Sequence, residues 1–120
     1  MLAIGGALGA IARYQVATVI QQRMPIGFPY GTFVVNISGC FIMGVVTILL
    51  TERLVVHPNW RFLVPIGFVG AYTTFSTFEL ETFMAVSEQA WLIAMANVVV
   101  SVIAGYVALW AGVVAGRALS

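Results

Sequence analysis

Four apolar stretches, each close to the length of a bilayer crossing, constrain this chain more than any other feature of its sequence. They are expected near residues 2–20, 31–50, 62–86 and 90–115. A helix needs about 20 mainly apolar residues to cross roughly 30 Å of hydrocarbon. With 62% hydrophobic and 8% charged residues, the chain cannot hide its apolar surface in one small water-soluble core. The sequence therefore predicts an all-α membrane protein in which residues 1–120 form a single four-helix transmembrane domain.

Prolines and charged side chains mark the connections between these stretches. Arg23, Pro25 and Pro29 end the first stretch, because proline interrupts a helix and has no backbone N–H to donate. Residues 51–61 form a polar connection between the second and third stretches. The first stretch has neither a basic n-region nor a small-residue cleavage site, so no cleavable signal is expected.

The charged and reactive side chains exclude several classes of function. The chain contains no lysine and no aspartate, and its formal net charge is only +1, so it lacks a nucleic-acid footprint. The single cysteine, Cys40, excludes an intramolecular disulfide and a multi-cysteine metal site. His57 lies in a predicted loop without a paired nucleophile or a second metal ligand. We therefore expect neither an enzyme nor a nucleic-acid partner.

The arginines leave the orientation in the membrane nearly balanced. An even number of crossings places Arg53, Arg61 and Arg117 on one side of the membrane and leaves one or two arginines, Arg23 with or without Arg13, on the other. Because the positive-inside rule acts through such counts, so small a bias lets the chain insert either way up. An antiparallel, dual-topology dimer is therefore one architecture that the sequence allows.

Small residues recur four apart in the first and fourth stretches. Gly5 and Gly9 share one helical face, and Gly112 and Gly116 share another. Such faces let helix backbones approach closely in a bilayer. We expect them to pack within the chain rather than to form an oligomer seam. Four short helices nevertheless enclose little space, so a pore or carrier of this size is expected to need a partner subunit.

Polar side chains also recur at helical spacing inside the membrane-spanning stretches. Thr32, Asn36 and Cys40 share a face of the second stretch, and Asn97 and Ser101 share a face of the fourth. A side-chain amide in hydrocarbon costs several kcal/mol without a partner, so these groups should face protein or water. These side chains can form interhelical hydrogen bonds, worth about 0.6–2 kcal/mol each. Alternatively, they can line a polar pathway.

The segment GAYTTFSTFELE, Gly70–Glu81, interrupts the third stretch at its centre. Its hydroxyl side chains can bond their own backbone in place of the helical ladder, so this cluster is expected to unwind: Thr73, Thr74, Ser76 and Thr77. Non-helical backbone at membrane depth is tolerated where it is buried in protein or lines a wet cavity, and such breaks mark ion or substrate sites. Phe75 and Phe78 either fill a core or offer the positive edges of their rings to an anion.

Three segments together resemble the Fluc, or CrcB, family of fluoride channels. They are GGALGAIARY (residues 5–14), GTFVVNISGCFIMG (residues 31–44) and GFVGAYTTFSTFELE (residues 67–81). The likeness covers almost the whole chain, and GT-x-x-x-N followed by TTFSTF is its most specific part. It implies a four-helix channel subunit, in an antiparallel homodimer with two pores, that passively exports fluoride across the plasma (inner) membrane and protects against fluoride toxicity.

The resemblance also implies a set of pathway residues. The Asn36 amide resembles a donor to the ion, and Phe75 and Phe78 resemble two rings whose edges face fluoride. The hydroxyls expected beside this path are those of Thr32, Ser76, Thr77 and Ser101. Relatives often carry another hydroxyl one turn beyond the fourth-helix serine, where this chain has Gly105.

Four further positions match family features outside the pathway. Gly70 and Thr73 match residues whose backbone carbonyls, from both subunits, hold a structural sodium ion at the dimer centre. Glu81 resembles a carboxylate at the pore mouth, and Arg13 resembles a structural arginine near a helix end. The implied partners are therefore fluoride, sodium, the lipid bilayer and a second copy of the chain.

Two other functions remain compatible with the residues. A proton-coupled small multidrug exporter also has four short crossings, but it needs a membrane-embedded carboxylate. The first stretch has none, and Glu79 and Glu81 follow the break. A non-transporting scaffold subunit is the other alternative, and only the small-residue faces support it.

Overall fold

A computed structural model of the chain describes residues 1–53 and 55–119, and within these ranges all regular structure is helical. Helix α1 is Leu2–Arg23, α2 is Tyr30–Ile48 and α6 is Trp91–Ala118. A π-helical turn, Leu49–Arg53, extends α2, so the predicted middle connection starts later than residue 51. These three helices are long and apolar enough to cross a membrane. Three of the four predicted crossings are therefore continuous helices.

The remaining crossing is built from several helical pieces. The short helix α3, Asn59–Arg61, leads into a π-helix, Phe62–Val69, and then into α4, Gly70–Tyr72. The π-helix contains Pro65, which has no N–H to give to the backbone ladder. After the break, α5 runs over Phe75–Ser87. The predicted division of the third crossing is confirmed.

The break is narrower than the hydroxyl cluster suggested. Only Thr73 (φ −83°, ψ 157°) and Thr74 (φ −147°, ψ 123°) are extended, whereas Ser76 and Thr77 lie in the first turn of α5. The expectation that all four hydroxyl residues unwind is wrong, because Thr74 caps the next helix. Its Oγ1 accepts a hydrogen bond from the Thr77 backbone N–H at 3.2 Å, which satisfies one of the free donors at a helix start.

Glycines bring the first crossing against the third, and they bring α2 against α6. Gly5 and Gly9 lie against the backbone of the π-helix, at Leu63 and Phe68, so closely that no Cβ would fit. Gly112 lies in the same way against the Phe41 carbonyl of α2. The predicted packing of these small-residue faces within the chain is confirmed. This packing of the helices places the break beside the polar face of α2.

The side chains that the chain buries are few. Val35 of α2 and Val69 of the π-helix are the largest fully buried side chains among the described residues. Many large apolar side chains are exposed instead, on helices of membrane-spanning length. At one end an ion pair joins Arg117 Nε to Glu52 Oε2 at 3.5 Å. The architecture is that of a multi-pass membrane protein whose outer surface is apolar.

Candidate functional site

Asn36 holds the broken segment with both ends of its side-chain amide. Its Nδ2 donates to the Thr74 carbonyl at 3.0 Å, and its Oδ1 accepts from the Thr74 backbone N–H at 2.8 Å. The amide thus satisfies two backbone groups that the helix break leaves unpaired. Because a backbone N–H can only donate, the orientation of this amide is fixed. One Nδ2 hydrogen remains for another acceptor.

The same arrangement frees two backbone carbonyls. In a continuous helix the Gly70 carbonyl would accept from the Thr74 N–H, but that N–H donates to Asn36. The Thr73 carbonyl would accept from the Thr77 N–H, but that N–H donates to the Thr74 hydroxyl. Neither carbonyl receives another backbone hydrogen bond from the described residues. Unwound carbonyls of this kind coordinate Na⁺ in broken transmembrane helices, so this pair fits a hard monovalent cation.

A first cavity, of about 330 Å³, opens beside the break. Its neutral polar lining comes from Asn36, Thr73, Thr74 and Ser101, and Cys40 contributes its thiol. The remaining predicted pathway groups in its wall are the rings of Phe75 and Phe78. The first cavity therefore brings together residues from three crossings and offers donors without a fixed charge.

The two phenylalanine rings of the first cavity differ in how far they are buried. Phe78 is buried, with 7% of its surface exposed, whereas Phe75 is 73% exposed. The ring centroids lie 5.9 Å apart, with the planes tilted by 45°. Phe75 therefore forms an outer edge of the first cavity, on a surface that the chain itself leaves uncovered.

A second cavity, of about 180 Å³, lies on the other side of the break. Its polar lining comes from one cation and five hydroxyl-bearing side chains, belonging to Arg13, Tyr14, Thr18, Thr32, Thr74 and Thr77. Arg13 Nε donates to the Ala71 carbonyl at 3.1 Å, near the end of α4. The two cavities therefore differ in charge, and Thr74 lines both of them.

The predicted pathway residues divide between these two cavities. Asn36, Phe75, Phe78 and Ser101 line the first, whereas Thr32 and Thr77 line the second. Ser76 is exposed and lines neither. Glu81 also lies outside both linings. Its carboxylate neighbours the Thr32 hydroxyl, and its Oε1 is buried without a hydrogen-bond partner among the described residues.

A chain of hydrogen bonds connects the fourth crossing to α5. Ser101 Oγ donates to Asn97 Oδ1 at 3.3 Å, and Asn97 Nδ2 donates to Thr82 Oγ1 at 3.0 Å. Thr82 Oγ1 in turn donates to the Phe78 carbonyl at 2.9 Å. The amide of Asn97 therefore joins two helices, as expected of an interhelical bond, and it also holds a residue of the first cavity.

Sequence reasoning did not single out several residues that shape the site. Thr74 falls within the hydroxyl cluster that was expected to unwind, although threonine is one of the preferred N-cap residues at a helix start. Tyr72 and Ser38 share a hydrogen bond of 3.0 Å between their hydroxyls, and no sequence signal connects them. Among the described residues, no cluster of His, Cys, Asp and Glu suits a metal ion.

Fold and site together define a class: a helical, multi-pass membrane protein with a broken crossing between two cavities that carry polar groups. A family model described as "CrcB-like protein, Camphor Resistance (CrcB)" matches residues 1–113. The chain belongs to the CrcB family, so the resemblance drawn from its motifs is confirmed.

Curated proteins from several bacteria are similar over nearly the full chain. One from Solibacter usitatus is 50% identical over 117 residues, covering 98% of this chain and 96% of that protein. One from Acidobacterium capsulatum is 45% identical, covering 97% and 93%, and one from Geobacter sp. strain M21 is 42% identical, covering 98% and 95%. Each is named "Fluoride-specific ion channel FluC". These relatives are ion channels rather than enzymes.

Proposed function

We propose that the chain is a subunit of a fluoride-selective channel that lets fluoride leave the cytoplasm passively through the plasma (inner) membrane. Export of this kind protects the cell against fluoride toxicity. The observation that carries the proposal is the Asn36 amide, which clasps Thr74 at the break while one Nδ2 hydrogen stays available beside the first cavity. The similarity to proteins named fluoride-specific channels supports the choice of ion.

The donor set suits a small, tightly hydrated anion. A pore must replace the hydrogen bonds of water closely enough for the ion to enter, and loosely enough for it to leave. In the first cavity the Asn36 amide, the Ser101 hydroxyl and the phenyl edges are weak donors without a fixed cation. A guanidinium in the same cavity would hold the anion more strongly, and Arg13 lies in the second cavity instead. The larger chloride is excluded because it matches closely spaced donors poorly.

The pathway begins at Asn36 and passes the edges of Phe75 and Phe78, with Ser101 continuing it along the fourth crossing. Thr32 and Thr77 serve this path from the second cavity, and Glu81 stands toward its mouth. Ser76, exposed at the start of α5, joins the path where a second subunit covers it. Arg13 has a structural role, because its bond to Ala71 satisfies a carbonyl beside the break.

A second copy of the chain completes the pathway. Phe75 cannot enclose an ion while 73% of its surface is exposed, so an antiparallel copy covers the open side of the first cavity. Two such cavities give two pores. Dual topology follows from the balanced arginines, since either orientation inserts.

The structural sodium ion lies at the centre of this homodimer. One chain offers the freed carbonyls of Gly70 and Thr73, and the partner offers the same pair. Four carbonyl oxygens, without any carboxylate, suit a hard monovalent cation better than a divalent one. The sodium ion ties the two breaks together and takes no part in the passage of fluoride.

Proteoliposomes test the proposal directly. Purified protein is reconstituted, a potential is imposed with potassium and valinomycin, and fluoride and chloride efflux are followed with ion-selective electrodes. We expect rapid fluoride efflux and far slower chloride efflux. Comparable rates for the two anions would contradict selectivity. Proton-dependent efflux of a lipophilic cation, lost in Glu81→Gln, would instead identify a multidrug exporter.

A further inference from the structure

The hydrogen-bond chain behind Ser101 has a fixed direction. It ends at the Phe78 backbone carbonyl, which can only accept, so the Thr82 hydroxyl donates its proton to that carbonyl. The Asn97 atom that faces Thr82 must therefore be the donating Nδ2. It follows that Asn97 turns its Oδ1 toward Ser101, and an amide oxygen can only accept.

Ser101 must therefore be the donor in its bond to Asn97. Its only proton points away from the first cavity, toward a carbonyl oxygen on its own helix. Toward the cavity it offers lone pairs, which repel an anion. Ser101 can donate to a passing ion only when its hydroxyl rotates away from Asn97.

That rotation has a cost set by the burial of Asn97. Only 2% of the Asn97 surface is exposed, so water cannot replace the lost bond, and Oδ1 would remain unpaired. A buried acceptor without a partner is unfavourable. The bond itself is long, at 3.3 Å, against a usual 2.5–3.0 Å for hydroxyl donors. It is therefore weak enough to be exchanged for a bond to an ion.

We infer that Asn97 is a positioning residue that competes with the permeating anion for the Ser101 proton and so weakens the hold of the pathway on fluoride. The inference rests on the proposed function. It assigns a task to a buried amide that lines neither cavity. It also gives a physical reason why a pathway of good donors releases its ion.

The test measures how fluoride efflux depends on fluoride concentration in proteoliposomes. Asn97→Leu keeps the size of the side chain and removes the competing oxygen, while Thr82 keeps its bond to Phe78. We expect the fluoride concentration at half-maximal flux to fall by about 2- to 10-fold, the factor that one exchanged hydrogen bond supplies. The maximal flux should fall as well, because the ion leaves more slowly.

A double-mutant comparison separates positioning from simple packing. In a Ser101→Ala background, adding Asn97→Leu should leave the half-maximal concentration unchanged. The same shift with and without Ser101 would overturn the inference, and so would an unchanged value in Asn97→Leu alone. Asn59→Leu, the same exchange in an exposed short helix, is the matched control and should behave as wild type.

A second variant covers the case in which Asn97→Leu does not fold. Thr82→Val removes the hydroxyl that fixes the Asn97 amide, so the amide is free to turn its Nδ2 toward Ser101. We expect a shift in the same direction as for Asn97→Leu, but smaller, and no shift would overturn the inference. Absence of fluoride flux in the wild-type protein would overturn the proposed function itself, which distinguishes the two failures.

Discussion

The third and fourth crossings both carry a polar backbone through lipid, but they are held in place in different ways. The fourth is one helix of 28 residues whose glycines fit against the backbone of α2. The third is interrupted at Thr73 and Thr74, and side chains replace the missing ladder there. The comparison shows that shape complementarity holds a continuous helix, whereas a break depends on individual hydrogen bonds. Residues of the break also line both cavities.

The largest effect is expected from removing the side chain that holds the break. Asn36→Leu leaves the Thr74 N–H and carbonyl unpaired at membrane depth, at a cost of about 1–3 kcal/mol for each group. We expect fluoride flux to be lost and the unfolding temperature in detergent to fall. Asn59→Leu is the control and should change neither. Wild-type flux in Asn36→Leu would show that the break is held by other contacts.

The continuous crossing should be most sensitive to added volume. In Gly112→Ala the new methyl group would fall on the Phe41 carbonyl oxygen, and overpacking of this kind costs about 1–3 kcal/mol. A lower unfolding temperature and less folded protein on size exclusion are expected. Gly6→Ala is the control, since no atom lies within 4 Å of the new Cβ. Equal stability of the two variants would mean that the glycine contact between α2 and α6 is not tight.

Phe78→Ile should impair transport while preserving the fold. Isoleucine keeps most of the buried volume but removes the ring edge, and aromatic interactions are worth about 0.5–1.5 kcal/mol. Fluoride efflux is expected to fall by up to about tenfold, with an unchanged elution volume. Phe83→Ile removes a ring on the same helix that is 66% exposed and should leave flux unaltered. An unaffected rate in Phe78→Ile would remove the proposed role of the ring edge.

The smallest effect is expected at Gly105, one turn beyond Ser101 in the fourth crossing. A Cβ at Gly105 would stand 3.5 Å from the Cys40 sulfur, which is an ordinary contact. Gly105→Ser should therefore fold normally, because the added Cβ meets only ordinary contacts. We expect thermal unfolding close to that of wild type, and Gly105→Ala serves as the control without a hydroxyl. A marked loss of stability in both variants would show that α6 needs a glycine here as it does at Gly112.

Features that depend on neighbouring residues were predicted from the sequence better than features that depend on contacts between distant helices. The crossings and the position of the break were predicted well, because hydropathy and hydroxyl content act locally. The extent of the break was predicted less well, since Thr74 caps α5 and returns Ser76 and Thr77 to the helix. The division of the hydroxyls between two cavities was not predicted at all, because it depends on how α1 and α2 pack against the break.

The sequence by itself determined an all-helical, multi-pass membrane protein with an interruption within residues 73–77, since composition and local backbone preference depend on neighbouring residues. Only the tertiary structure decided that both ends of the Asn36 amide hydrogen-bond to the backbone of Thr74, 38 residues away. It alone also decided the direction of the bonds from Ser101 to Phe78. Donor and acceptor roles follow from which groups meet, and distant groups meet only when the helices pack.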